Sequence, residues 1–224
     1  MKFPIEVAAV AFDLDGTLVE TLPDLHEAGN RMLAEFGLPA VPAERVRDFV
    51  GDGVDVLVKK LLGAEPDTDL FDRARARFRE HYAHVLTRQS HSFPGVPEAL
   101  ERMRALGLKL ACVTNKPATF TVPLLGALGL LERLDLVLSG DSLPKKKPDP
   151  LPLRHCAAHF DTVPQRLLMI GDSRNDAVAA RAAGCPVFCV PYGYRGGTAV
   201  HELDCDAIVA TVSDSLELIR PVRS

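Results

Sequence analysis

Short apolar segments rich in β-branched residues alternate with helix-length segments in the chain after residue 94. Near-continuous apolar strands that alternate with helices are typical of a parallel, doubly wound sheet of the α/β class. The strand-like segments are residues 7–12, 108–114, 134–139, 166–171 and 186–190, with 206–210 as a weaker sixth. The helical segments between them are residues 97–106, 118–128, 150–159 and 175–183.

A long interval of about ninety residues separates the first predicted strand from the second. One crossover connection is far shorter than this, so the interval is expected to hold a domain of its own. Its segments 22–37, 42–62 and 67–88 all have helical patterns. The sequence therefore predicts a discontinuous α/β core, residues 1–17 and 93–224, with an inserted α-helical cap domain at 18–92.

Composition and charge narrow the class of protein. The chain has 224 residues, 47% of them hydrophobic and 25% charged, with a formal net charge of −4 and a pI near 6.0. These values are ordinary for a soluble globular protein and argue against a general nucleic-acid partner. Five cysteines without a Cys-x-x-Cys pair fit a reducing compartment. With no apolar segment long enough to span a membrane, we expect a cytoplasmic protein, either a monomer or a homodimer.

Candidate chemistry begins where the first predicted strand ends, at Asp13 and Asp15. Carboxylates are costly to bury, so a pair at the end of a buried strand needs a reason. Side chains two positions apart on an extended chain point the same way, so both can act on one substrate. The alternative for this pair alone is a simple Asp-Gly turn.

Three further polar segments lie at or near the ends of other predicted strands. They are Val113-Thr114-Asn115, Lys147-Pro148-Asp149-Pro150 and Gly171-Asp172-Ser173-Arg174-Asn175-Asp176. Each alone has a structural interpretation, as a turn, a helix cap or a solvated lysine. Ligands of α/β folds bind at the carboxyl ends of parallel strands, so the four segments together indicate one site.

In this order and context the four segments resemble the motifs of the haloacid dehalogenase superfamily, most of whose members are phosphatases. The resemblance covers nearly the whole chain, including the helical insert. It implies a Rossmann-like core with strand order 5-4-1-2-3, in which Asp13, Thr114 and Asp172 follow three neighbouring strands.

The resemblance also implies a role for each candidate residue. Asp13 is the implied nucleophile that forms an aspartyl-phosphate, and Asp15 the acid that protonates the leaving oxygen and then activates water. Mg²⁺ is implied as the cofactor, held by Asp13, the main-chain carbonyl of Asp15, and Asp172, with Asp176 behind them. The implied substrate-binding residues are Gly16, Thr114, Asn115 and Lys147, of which Thr114 and Lys147 also assist catalysis.

Electrostatics independently favours a metal ion in such a site. Ionised Asp13, Asp172 and Asp176 together with a phosphate dianion outweigh the single positive charge of Lys147. The resulting negative charge would repel the substrate unless a cation reduces it. Mg²⁺ prefers hard oxygen ligands of this kind.

On this interpretation the substrate is a small phosphate ester. A narrower resemblance lies in segments 12–20, 49–53 and 191–194, which are similar to those of bacterial phosphatases that convert 2-phosphoglycolate to glycolate and phosphate. The turn Gly51-Asp52-Gly53 is expected to reach over the substrate, and Arg47, Lys59 and Lys60 are cap cations available for its carboxylate. Three alternatives stay open: a phosphatase of another small ester (sugar phosphate, nucleotide or pyrophosphate), a sugar-phosphate mutase similar to β-phosphoglucomutase, and a non-catalytic phosphate-binding protein.

Overall fold

A parallel six-stranded sheet forms the centre of the protein in the computed structural model, which describes residues 2–63 and 66–222. Its spatial order is β6-β5-β2-β7-β8-β9. Its strands are β2 (Ala9–Phe12), β5 (Lys109–Val113), β6 (Leu136–Leu138), β7 (Leu167–Gly171), β8 (Val187–Cys189) and β9 (Ala207–Ile208). This order confirms the predicted arrangement of the first five core strands, and the weaker predicted strand adds a sixth at the edge.

Helices cover both faces of this sheet, as a doubly wound fold requires. In β2, Val10 and Phe12 join the hydrophobic core on one face, while Ala9 and Ala11 join the core on the other. The first core includes side chains of α5 (Val96–Ala105) and α6 (Ala118–Ala127), and the second includes side chains of α7 (Leu151–His159) and α8 (Arg174–Ala183). The strands are therefore apolar on both faces, which explains their continuous hydrophobic sequence.

The insert after β2 is helical, as predicted. It contains α1 (Leu22–Glu35), α2 (Ala43–Arg47), α3 (Val54–Leu62) and α4 (Thr68–Val85). An antiparallel pair, β3 (Val19–Glu20) and β4 (His91–Ser92), joins its entrance to its exit. In α1, the side chains of Leu25, Ala28, Met32 and Leu33 are buried.

Two sequence expectations differ in detail from the structure. The helical segment expected over 42–62 is divided into α2 and α3 at the expected turn Gly51-Asp52-Gly53, where Gly51 and Gly53 adopt φ values of 121° and 91°. The first strand begins earlier and is interrupted: β1 (Ile5–Val7) pairs in parallel with β10 (Ile219–Pro221), and only then does β2 enter the main sheet. Both departures leave the edge at which β2, β5 and β7 end unchanged.

Among the described residues, every helix is too short or too polar to cross a membrane.

Candidate active site

The first acidic side chain of the site directly follows β2. The main-chain N–H of Asp13 donates to Ile170 O of β7 at 3.0 Å, which extends the sheet by one residue and fixes the carboxylate at its edge. The side chain is buried, and Leu14 N donates to its Oδ1 at 2.7 Å. Burial raises the pKa of Asp13 to about 7, with Asp176 adding repulsion and Lys147 opposing the shift. The ionised form therefore depends on the cations placed beside it.

A tight turn at Gly16 brings this segment against the loop that follows β8. Gly16 has φ of 85°, and a Cβ there would lie 2.7 Å from Asp172 Oδ2 and 3.0 Å from Tyr194 N. Only glycine combines this backbone conformation with such close neighbours.

Lys147 lies between two carboxylates. Its Nζ is 2.9 Å from Asp13 Oδ1 and 2.6 Å from Asp176 Oδ1, and only 2% of the residue is exposed. Burial alone would lower the pKa of Lys147, but the two carboxylates raise it above its ordinary value. The ammonium group therefore stays charged, directly beside the predicted nucleophile.

Two acidic residues at the junction of β7 and α8 have different surroundings. Asp172 Oδ1 accepts a hydrogen bond from Thr17 Oγ1 at 2.7 Å, and its Oδ2 accepts one from Tyr194 N. Asp176 accepts bonds from Ser173 N and Ser173 Oγ at its Oδ2 and thereby caps α8. With its Oδ1 bound to Lys147, Asp176 has a protein donor at each carboxylate oxygen, which suits a residue that supports the site from behind.

The buried carboxylates have the donor set that a hard divalent cation prefers. Carboxylate oxygens of Asp13, Asp172 and Asp176 lie within 4.8 Å of one another. Burial raises the pKa of Asp172 well above its ordinary value, and repulsion from Asp13 and Asp176 raises it further. A divalent ion would offset this repulsion and favour the ionised carboxylates. The residues present therefore fit Mg²⁺.

Thr114 and Asn115 follow β5 and line the same small cavity as Asp13 and Asp15. Thr114 Oγ1 accepts a hydrogen bond from Lys116 N at 3.2 Å. Asn115 Nδ2 donates to Gly51 O and to Lys147 O, each at 2.9 Å. The contact that the resemblance implies between Asn115 and a phosphoryl oxygen stays a prediction, and the amide N–H groups of Asn115 are bound to these two carbonyls.

Lys116 is a residue of this cavity that sequence reasoning missed. It is 4% exposed, its Nζ lies 2.8 Å from Asp15 Oδ1, and Thr21 Oγ1 donates to the same oxygen at 2.7 Å. The ammonium group also lies 4.7 Å from the centre of the Tyr82 ring in α4. The only signal in the sequence was its position directly after Thr114 and Asn115, which does not distinguish a buried lysine from a solvated one.

The predicted cap turn lies over the cavity and is bonded to the core. Gly51 O accepts hydrogen bonds from Asn115 Nδ2 and from Asn175 Nδ2, the latter at 3.2 Å. Asn175 Nδ2 also donates to Asp52 Oδ1 at 2.8 Å, and Lys146 Nζ donates to Asp52 O at 2.6 Å. The turn thus closes over Asp13 and Asp15 through bonds to the loops that follow β5 and β6 and to the first turn of α8.

The cap cations that the sequence offered for a substrate carboxylate are engaged elsewhere. Arg47 donates to Tyr192 O and lies over the Tyr194 ring, Lys59 lies over the Phe71 ring, and Lys60 pairs with Asp52. The residues that line the cavity include none of the three. The cation that lines the cavity is Lys116, which belongs to the core.

Comparisons with known proteins agree with this geometry. The model of the "Haloacid dehalogenase-like hydrolase" family matches residues 10–190. The chain is 50% identical to the phosphoglycolate phosphatase of Nitrosospira multiformis, over 98% of this chain and 99% of that one. It is also 50% identical to the phosphoglycolate phosphatase of Thiobacillus denitrificans, over 97% and 98% of the two chains.

A solved structure agrees as well. The crystal structure of a predicted phosphoglycolate phosphatase from Haemophilus somnus superimposes with a TM-score of 0.89 at 36% identity, and covers 94% of this chain and 96% of that one. The sheet order, the acidic cluster and the family model point to one conclusion: the chain belongs to the haloacid dehalogenase-like hydrolase family.

Proposed function

We propose that this protein is a Mg²⁺-dependent phosphomonoester hydrolase whose preferred substrate is 2-phosphoglycolate, which it converts to glycolate and phosphate. The observation that carries the proposal is the position of Lys147 between Asp13 and Asp176, with Asp172 in the same cluster and Asp15 at the adjoining cavity. The names of the relatives at 50% identity support the choice of substrate.

The chemistry proceeds in two displacements at phosphorus. A carboxylate oxygen of Asp13 attacks, a new P–O bond forms, and the bond to the ester oxygen breaks while Asp15 gives that oxygen a proton. Asp15 then takes a proton from water, which attacks the aspartyl-phosphate and releases phosphate and the Asp13 carboxylate. Dividing one difficult displacement into two lowers the barrier of each.

The surrounding residues stabilise charge on the transferring group. Lys147 holds Asp13 in place and neutralises charge on the phosphoryl oxygens. Thr114 Oγ1 and the main chain of Asn115 donate to those oxygens, and Gly16 lets the backbone approach them. Mg²⁺, when bound by Asp13, the main-chain carbonyl of Asp15, and Asp172, supplies charge neutralisation at the phosphoryl group. Asp176 orients Lys147 from behind.

The cap at 18–92 sets the size of the leaving group. Its turn covers the cavity, and hydrogen bonds from Asn115, Asn175 and Lys146 fasten that turn to the core. A small leaving group lets this lid close and exclude water. The core at 1–17 and 93–224 carries the chemistry, in a protein that we place in the cytoplasm without membrane or nucleic-acid partners.

The test is release of phosphate from a panel of esters, with and without Mg²⁺. We expect 2-phosphoglycolate to be among the best few substrates by kcat/KM, and Asp13→Asn to abolish turnover. Asp204→Asn, at an exposed carboxylate remote from the cluster, is the matched control and should keep full activity.

The open alternatives give different results in the same panel. Preference for a sugar phosphate, nucleotide or pyrophosphate would overturn the substrate and keep the phosphatase. Isomerised sugar phosphate without net release of phosphate would indicate a mutase. Binding without turnover of any ester would indicate a phosphate-binding protein.

A further inference from the structure

The ammonium group of Lys116 is buried at the cavity and is not part of the cluster around Asp13. It forms one ion pair, with Asp15 Oδ1 at 2.8 Å, and the Tyr82 ring lies 4.7 Å away. Lys147, by contrast, is held between two carboxylates. A lysine ammonium has three N–H donors, and the described part of the chain supplies Lys116 Nζ with one acceptor, Asp15 Oδ1. Lys116 can therefore bind a further acceptor from a ligand.

Lys116 differs from the other residues that line the cavity in carrying a positive charge. On the cap side the lining is apolar, from Leu25, Val50, Val54 and Leu57, together with the glycines of the turn. On the core side are the carboxylates of Asp13 and Asp15, and Lys116 is the one cation among the described residues that line it. An anionic group on the leaving side of the substrate therefore has one positively charged partner among the described residues that line this cavity.

Distances in the substrate match this arrangement. Asp15 must come within hydrogen-bond distance of the ester oxygen in order to protonate it. In 2-phosphoglycolate the carboxylate carbon is two bonds from that oxygen, roughly 2.4 Å away by ordinary bond lengths. A cation 2.8 Å from Asp15 Oδ1 is thus placed beside the carboxylate of a substrate whose ester oxygen meets Asp15.

We propose that Lys116 is the specificity-determining residue of this site, and that it binds the carboxylate of a small ester in which phosphate and carboxylate are separated by one carbon. The proposal rests on the proposed function and adds the reason for the substrate choice. Lys116 then has two roles. It holds Asp15 through Oδ1, which leaves Asp15 Oδ2 for the ester oxygen, and it pairs with the carboxylate of the leaving group. Apolar cap side chains around this ion pair strengthen it by excluding water.

The proposal is tested by comparing 2-phosphoglycolate with ethyl phosphate, which has the same carbon skeleton without the carboxylate oxygens. The wild-type protein should prefer 2-phosphoglycolate by about 100-fold or more in kcat/KM, the size expected for a buried charge-assisted contact. Lys116→Met should reduce this preference by about 30- to 100-fold, and Lys116→Arg should recover part of it. Lys59→Met, at a cap lysine outside the cavity, should leave the preference unchanged.

A binding measurement separates recognition from turnover. In the Asp13→Asn background, calorimetric binding of 2-phosphoglycolate should weaken on adding Lys116→Met, while binding of ethyl phosphate changes much less. Thermal melting of each variant reports whether it is folded, and the wild-type comparison of the two esters needs no variant.

Three other results would overturn the proposal, and each shows which part of it is wrong. Equal losses on both esters in Lys116→Met would make Lys116 a positioning residue for Asp15 only. A wild-type protein that does not distinguish the two esters, yet hydrolyses both through Asp13, would overturn the role of Lys116 and keep the phosphatase. Failure of the wild-type protein to hydrolyse either ester would overturn the proposed function itself.

Discussion

At the scale of single residues, the site depends on charges that the fold buries and pairs. Lys147 and Lys116 are each less than 5% exposed, and each contacts an acidic residue of the Asp13–Asp15 pair. Burying a lone charge is strongly unfavourable, so each ion is held by its partner. The pairs that keep these charges from being buried alone therefore also hold the carboxylates of Asp13 and Asp15, the proposed nucleophile and acid, in place.

Replacing Lys147 should reveal this dependence in stability as well as in activity. Lys147→Met leaves Asp13 and Asp176 buried without their shared cation, and we expect the free energy of unfolding to fall by about 3 kcal/mol or more. Urea unfolding measures this, with Lys145→Met as the control, because the Lys145 side chain is 68% exposed. A loss below about 1 kcal/mol in Lys147→Met would contradict the role assigned to the pair.

Sequence reasoning proposed the residues that stand in recognisable motifs and missed Lys116, which stands in none of them. Asp13, Thr114 and Asp172 follow strands, so their meeting at one edge could be predicted from strand order. Lys116 could not be assigned, because its burial comes from Tyr82 in α4, far away in the sequence. The bond from the Asn115 side chain to Gly51 O of the cap turn was not predicted, and the implied contact of Asn115 with the phosphoryl group stays a prediction.

At the scale of elements, the loop after β8 connects the acidic cluster to the start of the cap. Tyr194 N donates to Asp172 Oδ2, and the hydroxyl of the same residue accepts from Thr21 N and Leu22 N at the beginning of α1. The hydroxyl also donates to Glu20 of β3. One residue, through its main-chain N–H and its hydroxyl, thus connects the entrance of the cap to a predicted metal ligand.

Tyr194→Phe tests this connection. Without the hydroxyl, the buried N–H of Thr21 loses its acceptor, and we expect the free energy of unfolding to fall by about 2 kcal/mol. Tyr192→Phe is the matched control, since its hydroxyl makes one hydrogen bond, to Thr17 O, and a smaller loss of about 1 kcal/mol is expected. Equal stabilities of both variants and the wild-type protein in urea unfolding would contradict the connection.

The elements also show where periodicity is a sufficient guide and where it is not. Alternation of apolar strands with helices was enough to predict the sheet, its order following from the family resemblance. The pair β3–β4 was not predicted, because two-residue strands leave no pattern and form only when the ends of the insert meet. The division between α2 and α3 was indicated by the two glycines of the expected turn and not by periodicity, which is helical on both sides of that turn.

At the scale of the whole molecule, the cluster joins parts of the chain that are far apart in sequence. Asp13 comes from the first strand of the main sheet, Lys147 from the loop after β6, and Asp172 from the end of β7. The insert closes over them through Gly51 and Asp52. A ligand that binds this cluster therefore stabilises the folded state as a whole.

Mg²⁺ should accordingly raise the thermal stability of the protein in the absence of substrate. At a free concentration 100 times its Kd, a ligand specific to the folded state adds about 2.7 kcal/mol, which for a chain of this length raises the Tm by about 5 °C or more. Calorimetric scans with and without Mg²⁺ measure the shift. Asp172→Asn should lose it and Asp204→Asn should keep it; an unchanged shift in Asp172→Asn would remove Asp172 from the metal site.

The most direct test of the central claim is to trap the covalent intermediate. Wild-type protein mixed with Mg²⁺ and 2-phosphoglycolate, quenched rapidly in acid and digested, should yield the peptide containing Asp13 with the mass of one added phosphoryl group. This species should form and decay within a single turnover, persist longer in Asp15→Asn, and be absent in Asp13→Asn. A phosphoryl group found on another residue, or undiminished release of phosphate by Asp13→Asn, would contradict the account.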